Sequence, residues 1–102
     1  MIKEITNAKE FDDSIKEGRV LVDFYALWCG PCKMLAPIVE KVIEENPEVD
    51  LLRVNVDENE ELAVRYNIVS IPTLIYFENG QIKHGNVGYI GEEEVKKIID
   101  VL

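Results

Sequence analysis

The 102-residue sequence is poor in the groups from which most metal and catalytic sites are assembled. It holds one histidine, one tryptophan and two cysteines. A closed zinc site takes about four N, S or O ligands, commonly as two Cys/His pairs at regular spacing. Cys29, Cys32 and the distant His84 do not supply them, and His84 reads as a surface residue of a strand. Basic residues are also few, 11 against 20 acidic, for a net charge of −9. Nucleic-acid phosphates call for a basic surface, so this balance disfavours nucleic acid as a partner. No run approaches the roughly 18 apolar residues of a membrane-spanning helix. The opening MIKEITN lacks the apolar core of a signal peptide. A soluble cytoplasmic protein, with no membrane association, is the expectation.

What is present is a globular composition, 47% apolar and 30% charged, in a length that suits one domain over residues 1–102. Ile2 to Thr6 reads as a short strand. Asn7 with Glu10 three residues on is a capping pattern, and Ala8, Phe11 and Ile15 continue at helical spacing until Gly18. Val20 to Tyr25 is apolar enough for a strand buried on both faces. Leu35, Ile38, Val39, Val42 and Ile43 mark one helix face, with Pro37 expected to kink it and Pro47 beyond its end. Val49 to Val56 is a strand, and Glu60 to Tyr66 a short helix capped by Asn59. Thr73 to Phe77, Asn79-Gly80 and Gln81 to Val87 form a hairpin. Val95, Ile98, Ile99 and Leu102 give a last amphipathic helix behind Glu92, Glu93 and Glu94. The order β-α-β-α-β-α-β-β-α predicts an α/β fold, a mixed sheet with helices on both faces.

The segment Val20 to Val39, VLVDFYALWCGPCKMLAPIV, carries the chemistry. A bridge between Cys29 and Cys32 closes a minimal loop and so adds little to stability. In a reducing compartment such a pair makes sense as a bond that opens and closes. Cys29 ends a strand and loop, while Cys32 falls in the opening turn of a helix. The unpaired N–H groups and dipole of that turn favour a thiolate, which makes Cys29 the nucleophile. Gly30 and Pro31 suit the tight entry to the helix. Cys32 is then placed to attack a mixed disulfide on Cys29 in an intramolecular step.

Asp23 interrupts an apolar strand six residues before Cys29. Burial raises a carboxyl pKa towards neutral, and a carboxylate so tuned can take the proton of Cys32.

These residues resemble the thioredoxin family. The resemblance rests on Val22-Asp23-Phe24, Trp28-Cys29-Gly30-Pro31-Cys32-Lys33, Ala36-Pro37, Val54-Asn55-Val56-Asp57, Ser70-Ile71-Pro72-Thr73-Leu74, Asn79-Gly80 and Val87-Gly88, in family order along the chain. It implies a central mixed five-stranded sheet flanked by four helices. It also implies a cis Ile71–Pro72 bond, where an X-Pro bond read alone is expected to be trans. By the same resemblance, main-chain groups at Ile71 pair with the substrate chain, beside Pro72. Trp28, Gly30, Pro31, Ser70, Val87 and Gly88 form the contact surface around Cys29. Three departures stand out. Arg53 replaces a lysine common near the aspartate, Tyr25 a common tryptophan, and Leu27 a residue that is frequently polar or proline. Neither Tyr25 nor Leu27 is expected to touch the reacting sulfurs. Gly85, inside the last strand, suggests a bulge or weak point.

The activity implied is protein-disulfide reduction: catalytic Cys29, Cys32 and Asp23, no cofactor beyond the Cys29–Cys32 disulfide, and a monomeric carrier. Its implied partners are disulfide-containing proteins and a thioredoxin reductase drawing on NADPH or ferredoxin. An oxidase or isomerase is the alternative within redox chemistry. A binding module with incidental redox turnover is the alternative outside it.

Overall fold

The computed structural model describes residues 1–101, so Leu102, expected on the last helix, lies outside the described residues. The predicted order of elements is the observed one: β1 (Ile2–Glu4), α1 (Ala8–Ile15), β2 (Arg19–Tyr25), α2 (Gly30–Glu45), β3 (Val49–Asn55), α3 (Glu60–Arg65), β4 (Thr73–Glu78), β5 (Gln81–Val87) and α4 (Glu92–Ile98). The strands form one sheet in the order β1-β3-β2-β4-β5. β1, β3 and β2 run parallel through helical crossovers, and the β4–β5 hairpin adds antiparallel strands on the far side.

Alternation along the strands builds two cores. On one face Val20, Val22 and Phe24 of β2 pack with Phe11 of α1 and Leu62 of α3. On the other, Leu21 and Leu51 meet Leu35, Val39 and Val42 of α2, Val95 of α4 and Ile99 just beyond it. Asp23 and Tyr25 continue the Leu21 row, so both face the side that α2 covers.

Local signals behave as their chemistry requires, with three differences. The Asn7 side chain accepts from the Glu10 N–H at 2.8 Å, while the Glu10 carboxylate accepts from the Thr6 N–H at 2.8 Å, one residue before the cap. Asn59, expected to cap α3, instead turns inward and donates to the carbonyls of Ile5 and Asn55, tying β1 to β3. The last helix, α4, ends at Ile98, so Ile99, expected within it, is its C-cap instead, while Pro37 lies inside α2, one helix from Gly30 to Glu45. The irregularity assigned to Gly85 lies two residues earlier. Tyr76 pairs with His84 and Phe77 with Ile82, leaving Lys83 as the extra residue of a bulge.

Candidate active site

β2 delivers the chain to the cysteines, and α2 begins between them. Cys29 is the N-cap residue of α2, followed by Gly30 and Pro31, both exposed, and then by buried Cys32. Proline is accommodated there because a first-turn N–H has no intrahelical partner to lose. Cys29 and Cys32 are disulfide-bonded with Cα atoms 5.3 Å apart. The Cys32 N–H donates to Cys29 Sγ at 3.2 Å, so the sulfur of the first cysteine takes the place of a capping oxygen. A negative charge on that sulfur would meet a backbone donor and the positive end of a helix of 16 residues. Cys32 has no such arrangement around its own sulfur.

Both cysteines pack in a small buried cluster with Tyr25 and Ala26, against Val56 and Ile71. Tyr25 therefore belongs to the buried surroundings of the disulfide. Leu27 likewise lines a cleft of about 270 Å³ beside Cys32, together with Tyr25, Ala26, Lys33, Ala36 and Arg53. Tyr25 is the last residue of β2, paired with Asn55 of β3, and its place in the cysteine cluster is not revealed by alternation alone.

Ile71 O lies 3.9 Å from Cys29 Sγ, and the Ile71–Pro72 peptide is cis, as the resemblance implied. Ser70 is exposed and its carbonyl accepts from Thr73 Oγ1 at 2.6 Å. Gly88 has φ +101°, a conformation that disfavours a side chain, and its N–H donates to Pro72 O at 2.8 Å. Val87, Gly88, Pro72 and Ile71 are thus linked on one side of Cys29. Trp28, the residue before Cys29, is 71% exposed, with its indole N–H donating to Asp57 Oδ2 at 2.9 Å. Asp57 is fixed in turn, its own N–H donating to Asn55 Oδ1 at 2.9 Å. Sequence reasoning gave Asp57 no role; the only signal was its position in the Val54–Asp57 motif.

Asp23 is 1% exposed. Burial pushes its pKa up to about 6, partly opposed by Arg53 and reinforced by Glu4 and Glu40. The register explains this environment. Glu4 pairs with Arg53 and Arg53 with Asp23 across β1, β3 and β2, so the three charges form one row. The Arg53 guanidinium sits 4.1 Å above the Tyr25 ring, and the Tyr25 hydroxyl donates to Glu4 Oε2 at 2.6 Å. Burial and that bond to Glu4 push the Tyr25 phenol up to about 12. Among the described residues, Asp23 Oδ1 and Arg53 Nε are both buried without a hydrogen-bond partner. An uncompensated buried carboxylate is costly, which favours its protonated form.

Comparison with known proteins agrees with this geometry. The family model described as Thioredoxin matches residues 2–101. The thioredoxin of Listeria monocytogenes is 42% identical over 101 residues, 98% of this chain and 97% of that protein. That of Mycoplasmoides gallisepticum is 40% identical over 99 residues, 96% and 99% of the two chains. Among solved structures, Plasmodium falciparum thioredoxin superposes with a TM-score of 0.90 at 35% identity, over 96% of each chain. A capping sulfur, a bonded partner one helical turn on, and this full-length match leave one reading: the chain belongs to the thioredoxin family and is a thiol–disulfide oxidoreductase.

Proposed function

We propose that the chain works as a reductant of protein disulfides, with Cys29 as nucleophile, Cys32 as resolving thiol and Asp23 as the base that serves Cys32. The observation that carries this reading is the asymmetry of the pair. Cys29 Sγ caps α2 and accepts the Cys32 N–H, whereas among the described residues Cys32 Sγ accepts no such bond. In the reduced protein the Cys29 thiolate attacks one sulfur of a substrate disulfide, forming a mixed disulfide and releasing one substrate thiolate. Asp23 takes the Cys32 proton, directly or through a water. Cys32 then attacks Cys29 Sγ, the mixed disulfide breaks, and the second substrate thiolate leaves. Two electrons pass to the substrate and the Cys29–Cys32 bond forms. No further cofactor is needed, because the sulfurs carry the electrons. An NADPH- or ferredoxin-linked thioredoxin reductase restores the dithiol.

Substrate chains pair with main-chain groups of Ile71, beside Pro72, and rest on Trp28, Gly30, Pro31, Ser70, Val87 and Gly88. This strand-addition mode tolerates many sequences because the backbone supplies the bonds. The protein acts as a cytoplasmic monomer in this reading. Among the described residues no helix is long and apolar enough to cross a membrane.

Trapping tests the assignment. Cys32→Ser, reduced and mixed with a disulfide-bonded protein, should accumulate a stable mixed disulfide through Cys29, visible by mass. Cys29→Ser should accumulate none. Trapping by Cys29→Ser instead would reverse the roles.

A further inference from the structure

On the side of the sheet covered by α1 and α3, β5 has no helix over it. Ile82, Gly85 and Val87 pair with Phe77, Ile75 and Thr73, and therefore share their face. Where that face runs out from under the helices, the loop 67–70 forms an opposing wall and encloses a cavity of about 280 Å³. No residue lining it is charged, in a chain that is 30% charged. Beside neutral polar residues such as Asn67 and Ser70, its rim carries three apolar side chains open to water: Val69 is 87% exposed, Val87 66% and Ile82 56%. An exposed apolar rim around a concavity marks a binding surface rather than ordinary exterior.

The cavity is continuous with the redox site. Its loop wall ends at Ser70, next to Ile71, whose carbonyl lies 3.9 Å from Cys29 Sγ. Its other wall ends at Val87, next to Gly88, which is bonded to Pro72. Gly85 accounts for its depth. A Cβ there would touch only the Leu74 carbonyl, at 3.6 Å, and the φ of Gly85 is not positive. The backbone does not demand glycine at this position, and a larger side chain there would take up part of the cavity that Gly85 lines.

We propose that this cavity is a specificity subsite, which receives one apolar side chain, aromatic or branched aliphatic, from the substrate segment flanking the disulfide cysteine. The inference rests on the reading that a substrate chain pairs beside Ile71. In strand addition the main chain supplies affinity, and pockets for alternate side chains supply selectivity. An apolar cavity of about 150 Å³ accommodates a benzene ring, so the volume here suffices for a phenylalanine or leucine side chain.

The test uses peptides that each carry one cysteine in disulfide linkage to the same small thiol. One flanking position at a time is set to Phe, Leu or Ser, on both sides of the cysteine. At one position the wild type should prefer Phe or Leu over Ser by about tenfold in kcat/KM. Gly85→Val fills the cavity and adds a β-branched residue to a strand, which strands accept well. Ile82→Thr makes the rim polar at an exposed site. Each should bring the ratio close to one. A wild-type ratio near one at every position, or a preference that survives both substitutions, overturns the subsite while leaving the reductase intact. Failure of the wild type to reduce any of the peptides overturns the reading of the site and the subsite with it. A concentration-dependent dimer that Gly85→Val abolishes, with peptide preference unchanged, would assign the cavity to a second copy and also overturn the proposal.

Discussion

Asp23 and Arg53 face each other in register on β2 and β3, and each keeps one buried polar atom, Oδ1 and Nε, without a hydrogen-bond partner among the described residues. Opposite charges placed side by side in a core would be expected to satisfy each other. The guanidinium instead lies over the Tyr25 ring, so Arg53 is shared between Asp23, Tyr25 and the Glu4 end of the row. The outcome is a carboxyl whose burial outweighs its cationic neighbour and which titrates near 6.

That carboxyl destabilises the fold at neutral pH. Its folded pKa, about 6, lies above the reference value of 3.8, so between these pH values the folded state holds more protons than the unfolded one. Stability contributed by Asp23 is fully present below about pH 4 and is lost as pH rises through about 6. Asp23→Asn should therefore raise unfolding free energy at pH 7.5 by on the order of 2–3 kcal/mol and change it little at pH 4. Urea denaturation at the two pH values checks this. An equal effect at both would show that the charge is not the cause. In turnover the same substitution should slow the attack of Cys32 near neutral pH.

Arg53 holds the Asp23 pKa below the value that burial alone would give. Arg53→Met should move the pH midpoint of the Cys32 step upward by ~1 unit, the scale of a neighbouring opposite charge. Tyr25→Phe keeps the ring under the guanidinium and loses only the bond to Glu4, so its midpoint should move much less. Stopped-flow release of thionitrobenzoate from the mixed disulfide on Cys29 reads both profiles.

Trp28 is the single tryptophan, so its emission reports its own bond to Asp57. Asp57→Ala should change the emission maximum or anisotropy of the reduced protein. Because the pair is exposed, the cost in stability should stay within about 1 kcal/mol. The KM for a protein disulfide should rise more than that for a small aromatic disulfide. Unchanged fluorescence would show that Trp28 is not held by Asp57 in solution.

Phe11 is fully buried, with its ring centroid 5.5 Å from that of Tyr66 and 6.0 Å from that of Phe77. Phe11→Ala should cost about 3–5 kcal/mol, seen as a lower urea midpoint. The site lies on the opposite face of the sheet, so the surviving folded fraction should keep its reaction with disulfides.

The sequence makes the architecture and the cysteine chemistry legible because both depend on local patterns. Helical spacing, strand alternation, Asn79-Gly80 and Cys-Gly-Pro-Cys place the elements and the pair closely, although α4 ends at Ile98, short of the expected Ile99. What escapes is what chain crossing creates. Only the resemblance put Arg53 near Asp23, and nothing in the sequence added Glu4, which joins their row because β3 pairs between β1 and β2. Asn59 looks like a cap by residue type, but the carbonyls of Ile5 and Asn55 claim its side chain first. Gly85 draws the eye as the bulge, yet the pairings of Tyr76 and Phe77 put the extra residue at Lys83.

The reduction potential of the Cys29–Cys32 couple tests the central claim most directly. The protein is equilibrated with defined dithiol/disulfide buffers, its thiols are trapped, and the oxidised fraction is counted by mass. A protein that hands electrons to other proteins should give a value near −270 mV, roughly that of thioredoxin. A value near −180 mV, roughly that of protein disulfide isomerase, would contradict the account and make the chain an acceptor of electrons.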